Sequence, residues 1–213
     1  MKNFALVLMF AILSFSLMGC ETKNSNENVD NQKETINFNT KNMKTDVKVG
    51  DTIAVLDTSM GELKMLLYTE KAPKTTENFI ELAKQGKYTN VPFHRIIKDF
   101  MIQGGDFENM NGTGGYSFKG EGTLLDDEIV PELKHIYGAV SMAKTAAPNT
   151  AGSQFFIVQN HNGTPHLDGV HSVFGYVYEG MDVVEKMATV EKGPMDNPIE
   201  PILLKSVTIE TVK

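Results

Sequence analysis

Beyond residue 46, the apolar residues of this 213-residue chain fall in short runs, each closed within a few positions by Gly, Pro, Asn or Asp. Runs of that length suit strands, and turn residues so closely spaced leave little room for long helices. Thr52–Thr58 and residues 62–68 read as two strands joined across Ser59-Met60-Gly61, a hairpin. Residues 93–97, 100–103, 136–142, 154–158, 172–177 and 201–212 continue the series. Two stretches break it. Pro73 opens a helix with Phe79, Leu82 and Ala83 on one face and Gly86 as its stop. Met181–Ala188 carries Val184 and Met187 on one side of a second helix. From Gly104 to Gly122, Gly and polar residues are too dense for regular structure. About eight strands, two helices and no strand–helix–strand alternation predict an all-β fold. The expected form is an eight-stranded antiparallel barrel, closed so that no sheet edge is exposed, with the helices capping its two ends.

The first 46 residues follow other rules. Lys2 precedes an apolar run from Phe4 to Met18, then Gly19 and Cys20. At about 1.5 Å per residue this run is short for a ~30 Å bilayer core, and its layout is that of an export signal. Leu17-Met18-Gly19-Cys20 resembles the bacterial lipoprotein signal, whose cysteine is acylated and becomes the first mature residue. The resemblance implies a signal peptide over residues 1–19, lipidation of Cys20, and an extracytoplasmic protein anchored to a bacterial membrane. Cys20 is the only cysteine, which excludes a disulfide within the chain. Residues 20–46 hold seven Asn, and Val29, Ile36, Phe38 and Met43 are their only sizeable apolar groups, so a flexible spacer is expected. Residues 47–213 form the expected folded domain. A net charge of −7 with no Lys/Arg block argues against a nucleic-acid partner, and a monomer is expected.

Chemistry concentrates in three separated blocks. The first is Phe93-His94-Arg95-Ile96-Ile97-Lys98-Asp99-Phe100-Met101-Ile102-Gln103-Gly104-Gly105-Asp106. The second joins Ser141-Met142-Ala143 to Pro148-Asn149-Thr150-Ala151-Gly152-Ser153-Gln154-Phe155-Phe156-Ile157. The third is Leu167-Asp168-Gly169-Val170-His171-Ser172-Val173-Phe174-Gly175. Strand alternation puts Met101 with Gln103 on one face, and Gln154 with Phe156 on one face of another strand. The break at Lys98-Asp99 resets the parity, so alternation alone does not place Arg95 or Phe100 beside them. These blocks resemble the cyclophilin family of peptidyl-prolyl isomerases, from about Val49 to the C-terminus. The resemblance implies one shallow pocket lined by Arg95, Phe100, Met101, Gln103, Phe156, Leu167 and His171. In it, Phe100, Met101, Phe156 and Leu167 seat a proline ring, while Gln103, Gln154 and the backbone near Ala143 hold the flanking peptide. Arg95 is the implied catalytic residue, and Pro-containing polypeptides are the implied partners.

Rival readings are weaker. His161, His166 and His171 have neither helical i, i+4 spacing nor the usual zinc spacing, so no metal is expected, and rotation about an amide calls for no cofactor. Ser153 lacks the frame of a nucleophile, and Gly112-Thr113-Gly114-Gly115 opens no helix that could cradle phosphate. Without the surrounding block, Arg95 would read as a surface arginine paired with Asp99 or Asp106. A docking module that binds Pro-segments, or a chaperone, without required turnover is the functional alternative. His166 stands where many family members carry a tryptophan that contacts cyclosporin, which sets tight cyclosporin binding in question. The loop Lys144-Thr145-Ala146-Ala147 is one residue longer than in the commonest eukaryotic members.

Overall fold

The computed structural model describes residues 43–213; the expected signal peptide, Cys20 and the expected spacer as far as residue 42 lie outside them. The chain forms β1 (Thr52–Thr58), β2 (Gly61–Leu67), helix α1 (Pro73–Lys84), β3 (Val91–Pro92), β4 (Arg95–Ile97) and β5 (Met101–Gly104). It continues with β6 (Ala139–Met142), β7 (Phe155–Val158), β8 (Val173–Glu179), α2 (Met181–Ala188) and β9 (Leu203–Thr211). Among the described residues all nine strands join one sheet in the order β3-β9-β1-β2-β8-β6-β7-β5-β4, with antiparallel pairings throughout.

The ninth strand is Val91-Pro92, which lies just before an expected strand that itself shortens to Arg95–Ile97. Residues 93–97 read as one strand, but Val91-Pro92 pairs with β9 at one edge of the sheet and Arg95–Ile97 pairs with β5 at the other. Only Phe93 and His94 separate the two edges along the chain. The sheet therefore curls into a half-barrel rather than the expected closed barrel, its two margins joined by this covalent link and not by strand pairing. Its inner face is apolar. Ile96, Ile102, Ile157 and Val140 lie opposite one another on β4, β5, β7 and β6, and all four are fully buried.

Helix α1 covers this interior against β8 and β9, and α2 packs on β2, β4 and β5. Phe79 of α1 carries the α1 contact: its ring stacks on Tyr88 at 5.0 Å and meets Phe155 and Phe174 at 5.5 and 5.4 Å. The N-cap position Ala72 offers no side-chain acceptor. Glu128, far along the chain, supplies it instead, accepting from the Thr75 and Lys74 N–H groups at 2.8 and 3.2 Å.

Ordered packing starts before the expected domain boundary at 47. Met43 is 6% exposed and belongs to the core, the Tyr68 hydroxyl donates to the Lys44 carbonyl at 2.8 Å, and the Lys44 ammonium pairs with Asp51. A single methionine in an Asn-rich stretch leaves no mark in composition, because its partners lie elsewhere in the sequence.

Candidate active site

Sheet register resolves the parity that the sequence left open. Arg95 on β4 lies opposite Gln103 on β5, Gln103 opposite Phe156 on β7, and Phe156 opposite Ser141 on β6. Directly opposed residues of antiparallel strands project from the same face, so these side chains form one row on the outside of the barrel. Met101, two residues from Gln103, shares that face, and Phe100 closes the β4–β5 turn with its N–H bonded to the Ile97 carbonyl.

The row is tied together by amides. Arg95 Nη1 makes a long contact with Gln103 Oε1 (3.5 Å), and Gln103 Nε2 donates to Gln154 Oε1 at 2.9 Å. Gln154 Nε2 in turn donates to the carbonyls of Gly112 and Gly114 at 3.0 and 2.8 Å. Among the described residues no carboxylate lies within ion-pair distance of Arg95, so pairing with Asp99 or Asp106 does not occur. The half-buried guanidinium keeps donor capacity.

Asp106 has another task. It is fully buried, and its two oxygens accept five backbone N–H groups, from Glu108, Asn109, Asn111, Gly112 and Gly114. Burial pushes its carboxyl up, but these N–H groups outweigh burial and hold it below the usual carboxylate range. The Gly-rich connection is thus wound around one carboxylate. Gly112 (φ +93°) is required there, since a Cβ would stand 2.9 Å from the buried His94 ring.

The apolar residues gather at the same place. Phe156 (4% exposed) and Met101 (2%) form a floor. The His171 ring meets Phe156 edge-on at 5.6 Å, its Nδ1 bonded to the Met142 carbonyl at 3.0 Å. A carbonyl only accepts, so Nδ1 carries the proton; burial pushes the His171 pKa down and favours the neutral ring. Phe100 stacks on His166 at 5.8 Å, which brings the turn Pro165–Leu167, and with it half-buried Leu167, to the rim. Beside Gln103 and Gln154 a cleft of about 350 Å³ opens towards Ala143 and Thr145. The Ala143 N–H is taken by the Gln154 carbonyl (2.9 Å), so its own carbonyl is the group left to meet a peptide. Lys144 turns inward to Asp127 at 3.4 Å, its side chain only 5% exposed, which removes a free charge from the loop over residues 144–147.

Other candidates stay away. Phe155 faces the core, and the buried Ser153 hydroxyl donates to the Gly105 carbonyl at 2.6 Å. His161 stacks on Tyr137 and pairs with Glu185. The described residues contain no group of side chains suited to a metal ion.

One residue escaped sequence reasoning. His135, 2% exposed, lies parallel to the Phe156 ring at 5.9 Å and 10°. Its Nδ1 meets Asp168 Oδ1 at 2.9 Å and its Nε2 meets Ser141 Oγ at 3.0 Å. Ser, His and Asp so linked resemble a hydrolase triad, yet Ser141 is fully buried and unreachable by a substrate carbonyl. The linkage instead braces the floor. No local signal marks it, since Asp168 is 33 residues away.

Residues 53–209 match the family described as cyclophilin type peptidyl-prolyl cis-trans isomerase/CLD. The chain is 45% identical over 160 residues to peptidyl-prolyl cis-trans isomerase-like 1 of Gibberella zeae, across 75% of this chain and 96% of that protein. It is 45% identical over 155 residues to a peptidyl-prolyl cis-trans isomerase of Schizosaccharomyces pombe, across 72% of this chain and 97% of that one. A crystal structure of a Cryptosporidium parvum cyclophilin type peptidyl-prolyl cis-trans isomerase, in the presence of the dipeptide Ala-Pro, aligns with a TM-score of 0.70 at 37% identity. That alignment covers 75% of this chain and 99% of the other. With Arg95, Met101, Gln103 and Phe156 on one face of the sheet, and with this family match and these identities, the chain belongs to the cyclophilin-type peptidyl-prolyl cis-trans isomerases.

Proposed function

We propose that this isomerase turns Xaa-Pro bonds over the row Arg95–Gln103–Phe156, and that its substrates are exported polypeptides met near a membrane to which Cys20 tethers it. The observation that carries the catalytic part is the register: a cation, an amide and an aromatic ring on three neighbouring strands, facing the same way. An amide resists rotation because resonance stiffens its C–N bond, with a barrier of about 18–20 kcal/mol. Arg95 donates to the peptide as the bond twists and favours the state in which the lone pair has left resonance for the prolyl nitrogen. Phe156, Met101, Phe100 and Leu167 receive the proline ring, His171 walls it, and Gln103, Gln154 and the Ala143 carbonyl fix the flanking chain. The Ala-Pro dipeptide of the Cryptosporidium relative supports Pro-containing peptides as ligands here.

Magnitudes apportion the work. A ~10⁵-fold acceleration needs about 7 kcal/mol, whereas a charge-assisted hydrogen bond contributes roughly 1.5–3 kcal/mol. Arg95 therefore acts together with a seat that holds the twisted peptide better than either planar form. In a prolyl-peptide assay, Arg95→Ala lowers kcat/KM by roughly 10- to 150-fold, the factor that 1.5–3 kcal/mol implies; a variant as fast as wild type ends the proposal. The tether is supported by Leu17-Met18-Gly19-Cys20. Mass spectrometry of the mature N-terminus tests it, with acylated Cys20 expected and an unmodified cut elsewhere overturning it.

A further inference from the structure

We infer that Met43 is a positioning residue for the proline seat, through which the N-terminal arm supports catalysis; the inference rests on the seat being built on Phe156. Met43 precedes the stretch 53–209 that matches the family, so its contact is an addition to that stretch. It is nevertheless 6% exposed, and its Sδ accepts the Lys134 N–H at 3.1 Å. The next residue is His135, whose N–H and Nδ1 both lie 2.9 Å from Asp168 Oδ1. The Lys134 ammonium stands 3.7 Å from the other Asp168 oxygen.

Two consecutive amides are thus clamped, one to the arm and the next to the site. The imidazole that follows is bonded at both nitrogens and lies flat against Phe156. A packed ring braced this way transmits displacement because the interior has no slack to absorb it. Removing the thioether leaves the Lys134 N–H without its acceptor and opens space behind it. The clamp then holds from the Asp168 side alone, and the His135–Phe156 stack shifts. Small misplacement of a substrate-orienting group reduces rate more than it reduces binding. The arm's own anchors, the Tyr68–Lys44 hydrogen bond and the Lys44–Asp51 pair, keep Met43 at its post.

The test uses the full chain, assayed well below its melting temperature with a prolyl peptide and monitored by NMR. Met43→Ala lowers kcat roughly three- to tenfold with KM within about twofold, and shifts the ring resonances of Phe156 and His135. Met43→Leu, which restores volume but no acceptor for the Lys134 N–H, recovers only part of the rate and leaves the Lys134 amide resonance displaced. Val49→Ala, at an exposed site on the same arm, serves as control. In wild type, titration with an Ala-Pro peptide moves the Lys134 amide resonance, since coupling between two sites is reciprocal. Wild-type kcat and unmoved Phe156 resonances in Met43→Ala overturn the inference even if melting temperature falls, and so does a Lys134 amide indifferent to the peptide. Phe156→Ala, run in parallel, separates the two failures. Full activity there sinks the seat itself, whereas an inactive Phe156→Ala beside an unaffected Met43→Ala sinks only the coupling.

Discussion

Three histidines beside the site, His94, His135 and His171, all have their pKa pushed down, in each case chiefly by burial. Nearby charges modulate this. Asp106 pulls His94 up and Arg95 pushes it down, Asp168 pulls His135 up, and Lys144 and Asp127 act oppositely on His171. None of the three need transfer a proton, so the consequence falls on stability. Their folded pKa lies below the unfolded value of about 6.5, and as pH falls the unfolded chain takes up protons first. The contribution of these three groups is then level above about pH 7 and drops from about 6.5 downward, as unfolded imidazoles charge. The urea midpoint between pH 7.5 and 5.5 reads this directly, and a flat midpoint contradicts it. Among the described residues neither nitrogen of His94 finds a hydrogen-bond partner, so His94→Leu keeps an apolar filling while removing one titrating group, and the slope becomes shallower.

At the scale of elements, the Gly-rich connection depends on Asp106 as a strand depends on its ladder. Asp106→Asn turns an NH₂ group towards N–H donors that currently share an acceptor, a substitution that costs about 2–4 kcal/mol. Gln154 would lose the fixed carbonyls of Gly112 and Gly114, and with them its grip on Gln103. Expected outcomes are a lower urea midpoint and faster hydrogen exchange at the Gly112 and Gly114 amides. Unchanged exchange at those amides counts against the role. Elements set by neighbours in sequence were legible: the Thr58–Gly61 turn, the helix opened by Pro73, and Met181–Ala188. What stayed hidden depends on distant partners. The break at Phe93-His94 follows from sheet curvature, Arg95 joins Gln103 through register rather than alternation, and the acceptor for the first turn of α1 is Glu128. The site residues came from motifs resembling a family; His135, whose partners are Asp168 and Ser141, came from neither pattern nor motif.

At the scale of the whole molecule, β9 pairs with both β1 and β3, and Thr52 lies opposite Thr211. Deleting residues 203–213 removes no residue of the site, yet strips β1 and β3 of a partner and uncovers an edge. The shortened chain is expected to show no cooperative melting transition and no isomerase activity, as checked by circular dichroism and the prolyl-peptide assay. A cooperative melt in that chain would mean that the remaining strands suffice. Pairings so distant in sequence also imply folding in milliseconds to seconds rather than microseconds.

The same pairing has a consequence during synthesis. Chains emerge from the ribosome N-terminus first, at roughly 5–20 residues per second. The β1–β2 hairpin must therefore wait on the order of ten seconds for the strand that covers its flank. Throughout that wait it displays unsatisfied amides beside Val55 and Leu56, a surface prone to self-association. Each copy of this isomerase thus begins with a vulnerable interval, whose length is set by delivery speed rather than by the strength of the finished barrel.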